Sequence, residues 1–185
     1  SAELGAQTGL IAADDTTFDY IMKTGKKLER PVRADNISAL QSDEDAYFSA
    51  NYKVNVSELV PYVAMPDSPD NAVTIEKVSG VKIQQAYIGA CTGAKLEDLQ
   101  MAALVLKNRT VAKGIRLLSA PASIQTTAAA AKDGTLEILT ESGAILMPSG
   151  CGACAGYGAG ILAEGEVCIS SIARNFKGRM GHPTS

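Results

Sequence analysis

Four cysteines carry most of the chemical possibility in this 185-residue chain: Cys91, Cys151, Cys154 and Cys168. Cys91 stands in Ile88-Gly89-Ala90-Cys91-Thr92-Gly93, and Cys151 and Cys154 form a C-x-x-C within Pro148-Ser149-Gly150-Cys151-Gly152-Ala153-Cys154-Ala155-Gly156. Glycine within two residues of each of these three lets the backbone approach a bulky ligand and offers free N–H groups to its sulfurs. Three converging thiolates suit an iron–sulfur cluster better than a structural zinc, which takes four protein ligands. The bare C-x-x-C also reads as a redox dithiol, as half of a zinc site, or as two core cysteines. Cys168 lies in the apolar run Val167-Cys168-Ile169 and reads as a buried free thiol.

A second group is Arg174-Asn175-Phe176-Lys177-Gly178-Arg179. A guanidinium fork binds carboxylate in a bidentate way, so two converging arginines suit a di- or tricarboxylate. The bland alternative is a solvated basic loop. With His182 the only histidine, a multi-histidine metal site is excluded.

These residues must be held by regular elements. Gln85–Ala90 reads as a strand ending just before Cys91. Leu96, Leu99, Ala103 and Leu106 then fall on one helical face. Ile115–Ala120 is a second strand, and Ser123 caps an alanine-rich helix to Lys132 with Gly134 as its stop. Thr135–Glu141 is a short helix; Ala144–Met147 and Val167–Ser171 complete four strands. Strands alternating with helices favour a parallel sheet, whose carboxyl edge gathers ligand sites. Both the cysteine and the arginine groups follow strand ends.

The amino-terminal third is patterned differently. Asp14-Asp15-Thr16-Thr17 starts a helix that Gly25 is expected to stop. Asp43–Phe48 reads as a short helix, and Tyr52, Val54 and Val56 alternate with Lys53 and Asn55 as in a strand. Pro61–Asn71, with its prolines and Asp-Ser-Pro-Asp-Asn cluster, reads as a linker. The expected layout is therefore residues 1–60, a linker at 61–71, and a domain at 72–185.

Composition removes several classes of function. Apolar residues make up 46% and charged residues 20%, enough for a buried core, and the net charge of −3 has no basic block to bind nucleic acid. Ser1–Asp15 carries no basic start followed by a long apolar core, so no signal peptide is expected there. The uncharged stretch 142–163 is long enough to span a bilayer, but its glycines and Pro148 make it a buried, loop-rich segment instead. The expectation is a soluble, cytoplasmic protein without membrane or nucleic-acid partners.

Ile88-Gly89-Ala90-Cys91-Thr92-Gly93-Ala94-Lys95-Leu96-Glu97-Asp98-Leu99, then Pro148-Ser149-Gly150-Cys151-Gly152-Ala153-Cys154, then Arg174-Asn175-Phe176-Lys177-Gly178-Arg179 resemble three successive signatures of the aconitase superfamily. The likeness is to the large subunits of its 3-isopropylmalate dehydratase, homoaconitase and dimethylmalate dehydratase branch, and it covers essentially the whole chain. It extends to the segment through Tyr20 and to Ser68-Pro69-Asp70-Asn71. The resemblance implies an α/β fold: an aconitase-type three-layer α/β/α domain with a mainly parallel sheet, preceded by part of a second α/β domain.

It also implies a [4Fe–4S] cluster on Cys91, Cys151 and Cys154, with one iron free of protein ligands and acting as a Lewis acid. Glu3 falls on an acidic residue near the iron-bound water, and Arg174 and Arg179 fall on arginines that hold substrate carboxylates. The implied activity is that of a hydro-lyase acting on a hydroxy di- or tricarboxylate, of the kind used in leucine biosynthesis. Three positions depart from the pattern: Ala90 stands for serine, Gly93 for asparagine, and Ala173 for asparagine. Large subunits of this kind are more than twice as long. The chain is therefore expected to be a fragment or one piece of a split enzyme, inactive alone. Its expected partners are the remaining large-subunit domains and a small swivelling subunit or domain that carries a serine base. The alternative is a non-catalytic iron–sulfur or zinc binding module.

Overall fold

The computed structural model describes residues 5–27 and 41–185. Glu3 lies outside them. The chain divides into two compact units, Ser1–Leu59 and Val60–Ser185.

In the first unit the Asp14 signal does what its chemistry dictates. The Asp14 carboxylate accepts from the Thr17 N–H and hydroxyl, both at 2.8 Å, and helix α1 spans Asp15–Lys27. These bonds, the Thr17 N–H first, hold the Asp14 pKa below its ordinary value. The helix runs past Gly25, because an interior glycine costs only about 1 kcal/mol and does not by itself end a helix. Asp43–Phe48 forms a single turn, closed by Ala46 N–H on Asp43 O at 3.0 Å, too short a segment to nucleate a helix. Tyr52–Val56 joins no ladder; alternation makes a strand only where a neighbour supplies hydrogen bonds. Val56–Glu58 instead winds into a 3₁₀ turn, with Asn55 accepting from Ser57 N–H at 3.2 Å.

The second unit opens with an antiparallel ribbon, β1 (Tyr62–Ala64) and β2 (Ala72–Thr74). The 61–71 stretch is thus itself structured: it supplies β1 and a tip closed by Met65 N–H on Asn71 O at 3.0 Å. Then follow β3 (Gln85–Ile88), α2 (Leu96–Leu106), β4 (Arg116–Ser119), α3 (Ile124–Lys132), α4 (Thr135–Glu141), β5 (Ile145–Leu146) and β6 (Cys168–Ser170). The expected strands and helices of this region all form, trimmed by a residue or two at their ends.

β3 to β6 make one parallel sheet in the order β5-β4-β3-β6. Alternation along β3 and β4 assigns its two faces. Ala86, Ile88 and Leu117 join Leu99, Ala103, Ala130 and Leu139 in a core beneath α2, α3 and α4. Tyr87 and Leu118 face the other way and pack with Ala153, Cys154, Leu162 and Met180. The helices therefore cover one face, and the segment that carries the C-x-x-C covers the other.

Strand order makes this arrangement a consequence of handedness. The chain steps from β3 to β4 to β5 in one direction and then jumps back to β6 on the far side of β3. Right-handed crossovers in opposite directions lie on opposite faces. The reversal leaves a topological switch point between β3 and β6, and ligands of open α/β sheets generally bind outside the carboxyl ends of strands at such a point.

A polar lock closes the opposite, amino end of the sheet. Gln85 is fully buried; its amide donates to Gly160 O at 2.8 Å and its carbonyl accepts from Arg116 Nε at 3.1 Å. Arg116 in turn forks onto Glu166 at 2.8 and 2.7 Å. No helix among the described residues is long and apolar enough to cross a membrane.

Candidate functional site

β3 delivers Cys91 to the switch point, where it is exposed. The turn between them is tied to the end of β6 by one hydroxyl. Ser171 Oγ accepts from Gly89 N–H at 3.1 Å and donates to Gly93 O at 2.9 Å. The two backbones are pressed so close that a Cβ at Gly93 would stand 2.2 Å from Ser171 O. Only glycine fits there, so this packing excludes an asparagine side chain at that position. The same junction places Arg174, exposed, just beyond β6.

Cys151 and Cys154 sit on a 3₁₀ turn, Gly152–Ala155, entered by a Cys154 N–H to Cys151 O bond of 2.9 Å. Cys151 is exposed and Cys154 is buried on the sheet. Arg179 lies over this turn. Its Nη2 is 3.7 Å from Cys154 Sγ, and its guanidinium stacks 5.2 Å from the centroid of Phe176. Nε of Arg179 is buried without a hydrogen-bond partner. A buried, charged donor left unsatisfied is costly, and it marks a place where an acceptor belongs. Asn175, between the two arginines, donates to Ala64 O and Met65 O at 3.0 and 2.9 Å, which ties the arginine loop to the β1–β2 ribbon.

Cys168 belongs to a different environment. Half-buried on β6, it is the acceptor of a long contact from Gln85 Nε2 at 3.8 Å, and burial pushes its thiol up to about 11. His182 engages Thr184 Oγ1 at 2.8 Å within the carboxyl-terminal turn. Sequence reasoning does not single out Tyr87, Ser171 or Gln85. Each acts across a long sequence separation, and the only local hint is polar or aromatic character at a strand position beside a cysteine or arginine motif.

Among the described residues no three His, Cys, Asp or Glu side chains are grouped to hold a single metal ion. A four-iron cluster asks for something else: unpaired soft thiolates spread around a larger body, with donors facing its sulfurs. All four cysteines are free. Cys154 lies under a guanidinium with a spare buried N–H, and Cys91 follows the strand next to that turn. On donor chemistry and on the orphaned Arg179 Nε, these residues fit such a group.

A model of the aconitase family (aconitate hydratase) matches residues 1–185. The chain is 43% identical over 183 residues to the 3-isopropylmalate dehydratase large subunit 1 of Methanopyrus kandleri, covering 99% of this chain and 42% of that protein. It is 40% identical over 185 residues to the 3-isopropylmalate dehydratase large subunit 2 of Archaeoglobus fulgidus, covering 100% of this chain and 43% of the relative. It is 39% identical over 189 residues to the methanogen homoaconitase large subunit of Methanocaldococcus jannaschii, covering 99% and 44%. The chain thus spans well under half the length of these curated relatives. With a family match from the first residue to the last and relatives about 40% identical along the whole chain, the chain belongs to the aconitase family.

Proposed function

We propose that this chain is the cluster-bearing part of a hydro-lyase that moves water across a carbon–carbon bond of a hydroxy di- or tricarboxylic acid, as its 3-isopropylmalate dehydratase relatives are named for doing. The observation that carries the reading is Arg179: a guanidinium with an unsatisfied buried Nε, laid directly over Cys154 of the C-x-x-C turn. A [4Fe–4S] cluster held by Cys91, Cys151 and Cys154 would supply a Lewis-acid iron that no protein side chain occupies.

The chain's own residues do the rest of what falls to it. Arg174 and Arg179 take the substrate carboxylates, and the stack on Phe176 fixes the plane of the Arg179 fork before substrate arrives. The Asn175 bridge holds both arginines to one frame, and the Ser171 hydroxyl keeps Cys91 and Arg174 in register across the switch point. The proton beside a carboxylate is weakly acidic and needs a positioned base. That base belongs to a complementary subunit or domain. In this reading Ser1–Leu59 belong to the preceding domain, and Val60–Ser185, which take in the expected 61–71 linker, form the cluster-binding domain.

The test is to reconstitute the intact polypeptide anaerobically with iron, sulfide and its complementary subunit or domain, and to follow formation of the unsaturated acid from 3-isopropylmalate and homologous hydroxy acids. Turnover that falls about 30- to 100-fold in Arg179→Lys with iron retained is the expected result. A brown, iron-loaded complex inert toward the whole panel would overturn the hydro-lyase reading.

A further inference from the structure

Tyr87 touches both cysteine-bearing segments. It is the third residue of β3, four positions before Cys91, and only 2% exposed. Its side chain crosses to the other segment, where the hydroxyl donates to Cys151 O at 3.3 Å. The ring also shapes the strand end on its own side. A Cβ at Gly89 would lie 2.2 and 2.6 Å from ring carbons and 2.9 Å from the phenolic oxygen, so the ring occupies the space above Gly89.

We propose that Tyr87 is a positioning residue that clamps the Cys151–Cys154 turn onto the strand leading to Cys91, and so sets the relative placement of the three thiols. This rests on the reading of those thiols as a ligand set, although the clamp itself is a property of the chain alone. A hydrogen bond to this backbone carbonyl reaches beyond one residue. The carbonyl of Cys151 also receives Cys154 N–H, so holding it fixes the whole turn. Tyr87 touches no reacting atom in this assignment.

The experiment compares the whole apo chain with Tyr87→Phe, which removes the hydroxyl and keeps the ring, and with Gly89→Ala, which forces the ring to move. Thiol alkylation under native conditions, mapped cysteine by cysteine, reads the clamp without any cluster. A hydrogen bond as long as this one has a modest net worth, so Cys154 should label about two- to fivefold faster in Tyr87→Phe, and faster again in Gly89→Ala. Cys168 should keep its rate. In the reconstituted holoenzyme, iron release to a chelator should accelerate by a similar factor. Unchanged Cys154 labelling in both variants overturns the clamp, and so does an equal rise at Cys168, which would report general loosening. Wild-type chain that shows the labelling change in its variants yet never binds iron refutes the cluster reading and leaves the clamp standing.

Discussion

Gly93→Ala probes the junction on which the site depends. The new methyl carbon would lie 2.2 Å from Ser171 O, 2.6 Å from Ser171 Oγ and 2.8 Å from Gly89 O. Ordinary contact begins at 3.4 Å, so two backbone segments must separate by roughly 1.2 Å. That movement strains the Ser171 N–H bond to Tyr87 O, now 3.1 Å, and the hydroxyl link to Gly93 O. Overpacking of this kind costs about 1–3 kcal/mol, and each weakened hydrogen bond adds about 1 kcal/mol. The total is about 3–5 kcal/mol, or a fall in Tm of about 6–20 °C for a chain of this size. Scanning calorimetry reads it directly. Because the nearest atom is a backbone carbonyl, Ser171→Ala must not rescue the variant, and Gly93→Asn must be no better. A Tm within about 1 °C of wild type, or rescue by Ser171→Ala, would refute the close approach of the two strand ends.

Other outcomes follow from the same geometry. Hydrogen bonds from Arg116 hold the Glu166 carboxyl at about 2, below its ordinary 4.5, so the pair contributes stability above pH 4.5 that is lost as pH falls through 2. The urea midpoints of wild type and Arg116→Met should therefore differ at neutral pH and converge on acidification; a gap that persists at pH 2 contradicts the pairing. With its thiol near 11, Cys168 should resist alkylation at pH 8 while exposed Cys91 and Cys151 react, and early labelling of Cys168 would show its burial to be wrong. Arg179→Lys should retain iron yet lower kcat/KM of the complete enzyme about 30- to 100-fold, since lysine lacks the planar fork. Activity within about threefold of wild type would remove Arg179 from carboxylate binding.

The sheet and its helices were legible because their signals are local and strong. Ser123 before an alanine run, Gly134 after it, and leucines at helical spacing each specify a backbone with little help from afar. Weak local signals failed where tertiary partners decide. Tyr52–Val56 alternates but has no ladder, and Gly25 is tolerated inside α1. Cysteine and arginine types revealed the candidate chemistry. What holds them in place was illegible, because Tyr87 to Cys151 and Ser171 to Gly89 and Gly93 are contacts between distant positions. The side of the sheet that receives the C-x-x-C follows from strand order, which spacing alone does not encode.

The central claim is that Cys91, Cys151 and Cys154 form one ligand set and Cys168 stands apart. Iron and acid-labile sulfide assays on four anaerobically reconstituted variants test it most directly. Cys91→Ser, Cys151→Ser and Cys154→Ser should each lose most of the iron, while Cys168→Ser keeps about four iron and four sulfide per chain. Equal iron loss in Cys168→Ser would make it a fourth ligand, close the open iron, and contradict the account.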